Sequence, residues 1–286
     1  ISFVASANCA KYCGADVDFV DIDIDTYNIS IPSLEKKLIE SKKNNRLPKV
    51  VIPVHLAGQS CDMKRVFELS KIYGFKIIED ASHAIGGKYL NKPVGNCKYS
   101  DITVFSFHPV KIITTCEGGV CVTNSKKLFT KIYSLRSHGI VRNQEDMKYK
   151  SHGPWYYEQL ELGYNYRLND LQAALGISQL KRVDKFITKR HQIAQKYDKL
   201  FKQNENIISP PKAKYAYSSF HLYIIRCKET RTMNRKTIFE KLRNEGIYVN
   251  IHYIPIYRQP YYSKNFQIEN FPNAETYYSQ AISLPI

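Results

Sequence analysis

The 286-residue chain has no Cys-x-x-Cys pair, no arginine-rich run and no apolar run near the roughly 18 residues that cross a bilayer. Its seven cysteines, Cys9, Cys13, Cys61, Cys97, Cys116, Cys121 and Cys227, are odd in number and irregularly spaced. That argues against a zinc site or a disulfide framework, so no metal is expected, and it fits a reducing cytoplasm. No secretory leader is visible, and Ile1 is not an initiator, so the true start is expected to lie elsewhere. Internal repeats and low-complexity tracts are also missing. With 43% hydrophobic and 24% charged residues, the composition is that of a soluble globular protein, long enough for one large domain and a smaller one.

Acidic residues are the other shortage. Twenty-six Asp and Glu stand against 42 Lys and Arg, a net charge of +16. Such an excess is what a nucleic-acid surface would show. Here the basic residues are scattered and mostly punctuate amphipathic helices. The 22 tyrosines gather after Tyr149 and over 248–262 without the repeat of a base-stacking platform. Neither nucleic acid nor a membrane is expected as a partner.

What is present is an alternation of strands and helices. Residues 1–8 read as a strand end running into a helix, and 18–23 as a short strand with acidic ends. Ser30 caps a helix to about Lys43, with Leu34, Leu38 and Ile39 on one face. Residues 49–54 form a continuous apolar strand of the kind buried on both faces. The loop after it carries His55, either a structural histidine or one that approaches a site. Asp62 starts a helix that ends before Gly74, and strand 76–79 leads into Asp80. Strand–helix–strand order of this kind gives an α/β fold with a mostly parallel sheet and right-handed crossovers.

Ser125 begins a helix to about Arg136, and 142–161 is a long polar, tyrosine-rich loop. Residues 168–201 read as one long helix whose basic run, Lys181, Arg182, Lys185, Lys189 and Arg190, is a solvated face. A polar, proline-containing linker over 204–217 then divides a large domain, 1–203, from a smaller α/β domain, 204–286. The smaller one shows strand 220–226, helix 235–244 ending at Gly246, strand 248–252 and a final helix over 272–281.

The chemistry gathers in two stretches. Phe105-Ser106-Phe107-His108-Pro109-Val110-Lys111 puts a lysine in a short loop between apolar strands 102–107 and 120–122. Pro109 fixes the backbone before it, and Ser106, Thr114 and Thr115 flank it with hydroxyls. Most lysines lie on a solvated face, but one held between buried strands loses its proton by desolvation and becomes a nucleophilic amine, as a Schiff-base lysine must. Upstream, Asp80 ends a buried strand and is followed by Ala81-Ser82-His83-Ala84. A carboxylate there is either a helix cap or the partner that keeps a pyridoxal phosphate ring nitrogen protonated.

Four ordered motifs, Glu79-Asp80-Ala81-Ser82-His83-Ala84, Ser106-Phe107-His108-Pro109-Val110-Lys111, Glu117-Gly118-Gly119 and Gly163-Tyr164-Asn165-Tyr166-Arg167-Leu168-Asn169-Asp170, resemble the sugar aminotransferases of the DegT/DnrJ/EryC1/StrS family. The resemblance runs from Ile1 to Ile286. It implies a fold-type I pyridoxal-phosphate-dependent transferase, a mostly parallel central sheet between helices with a smaller C-terminal α/β domain. The lysine motif and His252-Tyr253-Ile254-Pro255-Ile256-Tyr257 most resemble members that aminate a UDP-linked 4-keto-6-deoxy-N-acetylhexosamine in pseudaminic acid biosynthesis, with L-glutamate as amino donor.

Residue by residue, the resemblance implies that Lys111 binds the cofactor covalently and then moves the proton as acid and base. It implies that Asp80 pairs with the ring nitrogen, that His83 contacts the cofactor near its phenolic oxygen, and that Ser106 binds its phosphate. Phe3 would stack on the ring, the alternative being a core phenylalanine. Asn165 would reach the phosphate in the neighbouring subunit of a homodimer, and His252 and Tyr253 would touch the nucleotide sugar. Glu117-Gly118-Gly119 reads as a turn required by backbone geometry. The basic surface suits an anionic nucleotide sugar. The resemblance also implies a segment before Ile1 that cradles the phosphate and a longer C-terminal end, so residues 1–286 alone are expected to hold the cofactor weakly. A dehydratase of the same family carries histidine in place of the lysine, and Lys111 argues against it. A noncatalytic binding protein on the same fold is a further alternative, against which Asp80 and Lys111 together argue.

Overall fold

Side-chain caps set most of the helix starts in the computed structural model, which describes residues 1–231 and 234–286. Helix α1 (Ala5–Tyr12) has no side-chain cap, but Ser30 Oγ accepts the Ser33 N–H at the head of α2 (Ile31–Lys43). Asp62 accepts the Arg65 N–H at the head of α3 (Met63–Tyr73), which Gly74 ends in a left-handed conformation. Both helices turn an apolar stripe inward. Leu34, Leu38, Met63, Val66 and Leu69 bury against Val51 and Ile77 of the sheet and against Phe75, which precedes β2.

The central sheet holds β1 (Val50–Val51), β2 (Lys76–Asp80), β5 (Ile102–Ser106) and β6 (Gly119–Val122) in the order β1-β2-β5-β6, with the small hairpin β3 (Lys88–Tyr89) and β4 (Lys92–Pro93) in a separate sheet. β1 pairs with β2, and β2 with β5, in parallel; β6 returns antiparallel to β5. Asp80 sits opposite Val104, so β2 and β5 end side by side. The strand expected over 49–54 is shorter. Pro53 has no N–H to give the ladder, and pairing resumes only as a single bridge from Val54 to Asp80.

The strand expected over 18–23 is absent apart from one bridge, Ile22 to Ile29. Its acidic ends take the backbone hydrogen bonds a ladder would need. Asp21 accepts from the N–H groups of Ile22, Asn273 and Ala274, and Asp23 from that of Asp25.

Ser125 caps α4 (Lys126–Leu135) as expected. The loop expected over 142–161 is an excursion closed at its base by β7 (Ile140–Val141) against β8 (Glu158–Gln159). The single helix expected over 168–201 is two, α5 (Asp170–Leu180) and α6 (Val183–Phe201), divided at Lys181 and Arg182. Packing explains the break. To bury Ile187 against Ile112 and Ile113, with Val183 beside it, α6 leaves the line of α5. It comes so close to Gly86 that a Cβ there would lie 2.9 Å from Ile187 Cγ1.

The C-terminal part contributes β9 (Ile207–Ile208), β10 (Ala216–Tyr217), which pairs with β3, and β11 (Tyr223–Cys227). Helices α7 (Arg235–Asn244), α8 (Pro260–Ser263) and α9 (Pro272–Gln280) follow, then β12 (Ala281–Leu284). The sheet order is β12-β11-β9, all antiparallel. The strand expected over 248–252 is one bridge, Asn250 to Ser283. We propose that the chain divides into its two domains between residues 203 and 204. The cores cross this boundary, since Ala194, Tyr197 and Phe201 of α6 pack on Tyr223 and Ile225, while Ile22, Tyr27 and Leu56 pack on Ile224, Tyr257 and Tyr277.

Candidate active site

The carboxyl ends of β2 and β5 are where ligands bind in open α/β sheets, and here they carry Asp80, Ser106 and the Lys111 loop. The Asp80 carboxylate is held at both oxygens. Oδ2 accepts from the Ser6 hydroxyl at 2.5 Å and Oδ1 from the Ser82 N–H at 3.0 Å. The Lys111 loop is rigid for identifiable reasons. Lys111 N–H donates to His108 O at 2.9 Å, and Thr115 N–H and Thr114 Oγ1 both donate to Phe107 O. Ile112 and Ile113 anchor the loop under α6. The Gly118-Gly119 turn is sterically required: a Cβ on Gly118, at φ +145°, would meet Thr115 Oγ1 at 2.6 Å, and one on Gly119 would meet Phe105 O at 2.7 Å.

Lys111 is half-buried, and its amine has no hydrogen-bond partner among the described residues. Burial lowers its proton affinity, and the Asp80 charge opposes that only in part. The amine is therefore closer to its neutral, nucleophilic form than a surface lysine is.

A wall of aromatic and imidazole rings stands beside it. His83 Nδ1 accepts the Ala57 N–H at 3.3 Å, which leaves the proton on Nε2 to donate to the Tyr253 hydroxyl at 3.0 Å. Burial, then the neighbouring His221, Lys111 and His252, hold His83 well below the ordinary histidine range, so it is neutral. The rings of His83 and Tyr253 stack at 6.0 Å, and Phe3 lies 5.8 Å from Tyr253. Phe3 is 57% exposed, so it is not a core phenylalanine. His252 Nδ1 contacts Ser283 Oγ at 2.8 Å, and burial with the nearby Lys111 charge brings its pKa down to about 4. His221 packs on His83 at 4.4 Å, and its buried Nδ1 has no hydrogen-bond partner among the described residues.

Of the residues expected from sequence, Phe3, Asp80, His83, Lys111, His252 and Tyr253 thus gather in one neighbourhood. Ser106 ends β5, and its hydroxyl accepts the His108 N–H at 3.4 Å. Asn165 does not join them within one chain. It is exposed and bridges Ser137, and the rings of its sequence neighbours Tyr164 and Tyr166 stack on each other. His55 takes the structural alternative, fully buried with Nε2 2.7 Å from Glu79 Oε2 and Nδ1 accepting the Cys61 N–H. Glu79 also accepts from Ser100 and Thr103, which satisfies it. Sequence reasoning missed Ser6 and His221. Ser6 hides in a run of small residues that signalled only a helix start, and nothing local marks His221.

The His83 ring depends on a turn. Gly58, at φ +96°, lets Ala57 present its N–H, and a Cβ on Gly58 would lie 2.2 Å from Ser219 Oγ and 2.8 Å from His83 O. Gly58→Ala adds overpacking to backbone strain, together roughly 3–5 kcal/mol. We expect the midpoint of thermal unfolding to fall by roughly 10 °C, with part of the loss recovered when Ser219→Ala removes the clashing hydroxyl. A calorimetric midpoint unchanged in the single variant contradicts this account.

The DegT/DnrJ/EryC1/StrS aminotransferase family model matches residues 1–286. A UDP-4-amino-4,6-dideoxy-N-acetyl-beta-L-altrosamine transaminase from Campylobacter jejuni is 40% identical over 285 residues, covering 100% of this chain and 72% of that protein. Among solved structures, the Helicobacter pylori aminotransferase PseC, involved in the biosynthesis of pseudaminic acid, superposes with a TM-score of 0.89 at 38% identity, over 100% of this chain and 72% of that one. The PLP form of a putative sugar aminotransferase from Streptococcus pneumoniae gives 0.84 at 29% identity, over 99% and 73%.

Proposed function

The chain belongs to the DegT/DnrJ/EryC1/StrS aminotransferase family, and on that premise we propose that it moves the amino group of L-glutamate to the 4-keto group of a UDP-linked 6-deoxy-N-acetylhexosamine, with pyridoxal 5'-phosphate as cofactor. The observation that carries this reading is what meets at the end of β2 and in the loop beyond β5: Lys111, a desolvated amine with no hydrogen-bond partner among the described residues, and Asp80, a carboxylate held by two donors. The donor set fits the cofactor. Asp80 offers a negative charge to a protonated ring nitrogen, Lys111 an amine to a carbonyl, and Phe3 an open apolar face to a flat ring.

When bound, the cofactor supplies a carbonyl and a conjugated ring that carry the amino group and an electron pair from donor to acceptor. The protein moves the proton. In each half of the reaction Lys111 would move a proton between the substrate carbon and the cofactor, and burial keeps its amine able both to take and to give it. Neutral His83, with its tautomer fixed by Ala57, offers Nε2–H as a donor shared with Tyr253. Ser106 is the phosphate ligand of this reading. In this reading His252 and Tyr253 face the sugar nucleotide, and the exposed Asn165 serves the site of a second subunit in a homodimer. We place the enzyme in the cytoplasm. Among the described residues no helix is long and apolar enough to cross a membrane.

The test is a substrate panel. Purified protein with pyridoxal phosphate and glutamate is expected to aminate the UDP-linked 4-keto-6-deoxy-N-acetylhexosamine at least about tenfold faster than GDP- or dTDP-linked keto sugars, a preference one or two lost contacts account for. Equal rates on all nucleotides overturn the substrate assignment, and no product with any of them overturns the reaction.

A further inference from the structure

Helix α1 is tied to its surroundings at three consecutive residues. Ala7 is buried against Ile256 and Tyr262. Asn8 Oδ1 accepts the Tyr262 hydroxyl at 2.7 Å. Ser6 Oγ donates to Asp80 Oδ2 at 2.5 Å, across 74 residues of sequence. The helix is thus fixed to the C-terminal part of the chain by two residues and holds the carboxylate by the third. The other Asp80 oxygen is held from a different element, by Ser82 N–H in the turn after β2. An ionised carboxylate has about four acceptor positions, so two donors leave it free capacity while stopping its rotation. Charge-assisted hydrogen bonds of this kind are stronger and more directional than neutral ones.

We propose that Ser6 is a positioning residue for Asp80: its hydroxyl fixes the rotation of the carboxylate, so that an acceptor position stays available to the cofactor's ring nitrogen. The proposal rests on the pyridoxal phosphate reading above. Ser82 cannot replace Ser6, because a single donor at Oδ1 leaves the carboxylate free to swing about that bond. Lys111 cannot replace it either, since its amine forms no hydrogen bond among the described residues and is reserved for the carbonyl.

The experiment compares Ser6→Ala and Ser6→Thr, each made in the unchanged protein and in the Asp80→Asn variant. The readout is pyridoxal phosphate affinity, from absorbance titration, with far-UV circular dichroism to follow the fold. Ser6→Ala is expected to weaken affinity about tenfold, the loss of roughly one hydrogen bond to a charged group. Ser6→Thr, which keeps a hydroxyl, is expected to stay within about twofold. In the Asp80→Asn background Ser6→Ala is expected to change affinity by less than about twofold, because the group it acts through is gone. Three results overturn the proposal: unchanged affinity in Ser6→Ala, an equal loss in Ser6→Thr, or an undiminished loss in the Asp80→Asn background. If the unchanged protein binds no pyridoxal phosphate, the cofactor reading itself falls, and that outcome is separate because it appears before any substitution is made.

Discussion

Lys111→Ala is expected to abolish the visible absorption that pyridoxal phosphate gains on bonding to a protein lysine, and to lower turnover by at least about four orders of magnitude. No other amine substitutes. Lys111 is the lysine whose charge lowers the proton affinities of His83, His221 and His252, so it is the one that faces the ring wall. The fold is expected to survive. The Lys111 amine makes no hydrogen bond among the described residues, and burial disfavours its charge, so removing it deletes a cost rather than a support. Thermal unfolding at an unchanged or slightly higher temperature, with the absorption lost, is the anticipated pair of results. A variant that keeps both absorption and turnover sinks the assignment of Lys111. Lys111→Arg is expected to be equally inactive, because a guanidinium stays charged at every relevant pH.

Asp80→Asn is expected to weaken pyridoxal phosphate binding about 10- to 100-fold, the loss of one charge-assisted hydrogen bond. Turnover should fall by roughly two to four orders of magnitude, since an amide cannot hold a ring nitrogen protonated. Two further effects follow from contacts already described. Ser6 and Ser82 both donate to the carboxylate, and an amide oxygen replaces only one of its two acceptors. The amide oxygen can keep the Ser82 N–H while the amide NH2 donates to the Ser6 hydroxyl, so both contacts survive as neutral hydrogen bonds, at a cost of roughly 1 kcal/mol of stability. The Asp80 charge also raises the proton affinity of Lys111, so its removal lowers that affinity further. In cofactor-free protein, the pH at which an amine-directed reagent begins to label Lys111 is therefore expected to move down. Near-normal turnover in Asp80→Asn shows that another acid does the work, and an unmoved labelling profile shows that the two groups are not coupled.

Much of the scaffold was legible because it is local. Ser30, Asp62 and Ser125 announce helix starts through hydrogen bonds made within three residues, and Gly74 ends α3 through its own backbone freedom. β2 and β5 are apolar runs whose length and flanks suffice to mark them. The misreadings are nonlocal. Residues 18–23 have the pattern of a strand, but their carboxylates bond backbone more than 250 residues away. Residues 168–201 keep one helical period throughout, and the break at Lys181 and Arg182 exists because α6 packs against Gly86 and the Lys111 loop. β12 runs only four residues, and its pairing with β11 is what makes it a strand.

The site divides in the same way. Asp80 and Lys111 stood out in the sequence because Asp80 ends an apolar strand and Lys111 lies in the short loop that follows another, the edge of an α/β sheet where ligands bind. His83, Tyr253, His252 and Phe3 came from resemblance, and the tertiary structure supplies the physical content: a hydrogen bond between residues 83 and 253, and ring contacts linking residue 3 to residue 253 and residue 83 to residue 221. Ser6 and His221 had no signal in the chain. A hydroxyl in a run of small residues and a histidine after a linker gain meaning only from the groups placed against them. Sequence by itself determined where most helices begin, the two apolar strands β2 and β5, and the two residues proposed to carry the chemistry, because caps, apolar period and strand ends act over a few residues. Folding decided how the Asp80 carboxylate is held, which tautomer His83 adopts and how readily Lys111 gives up its proton, because hydrogen-bond partners and desolvation come from segments distant in the chain.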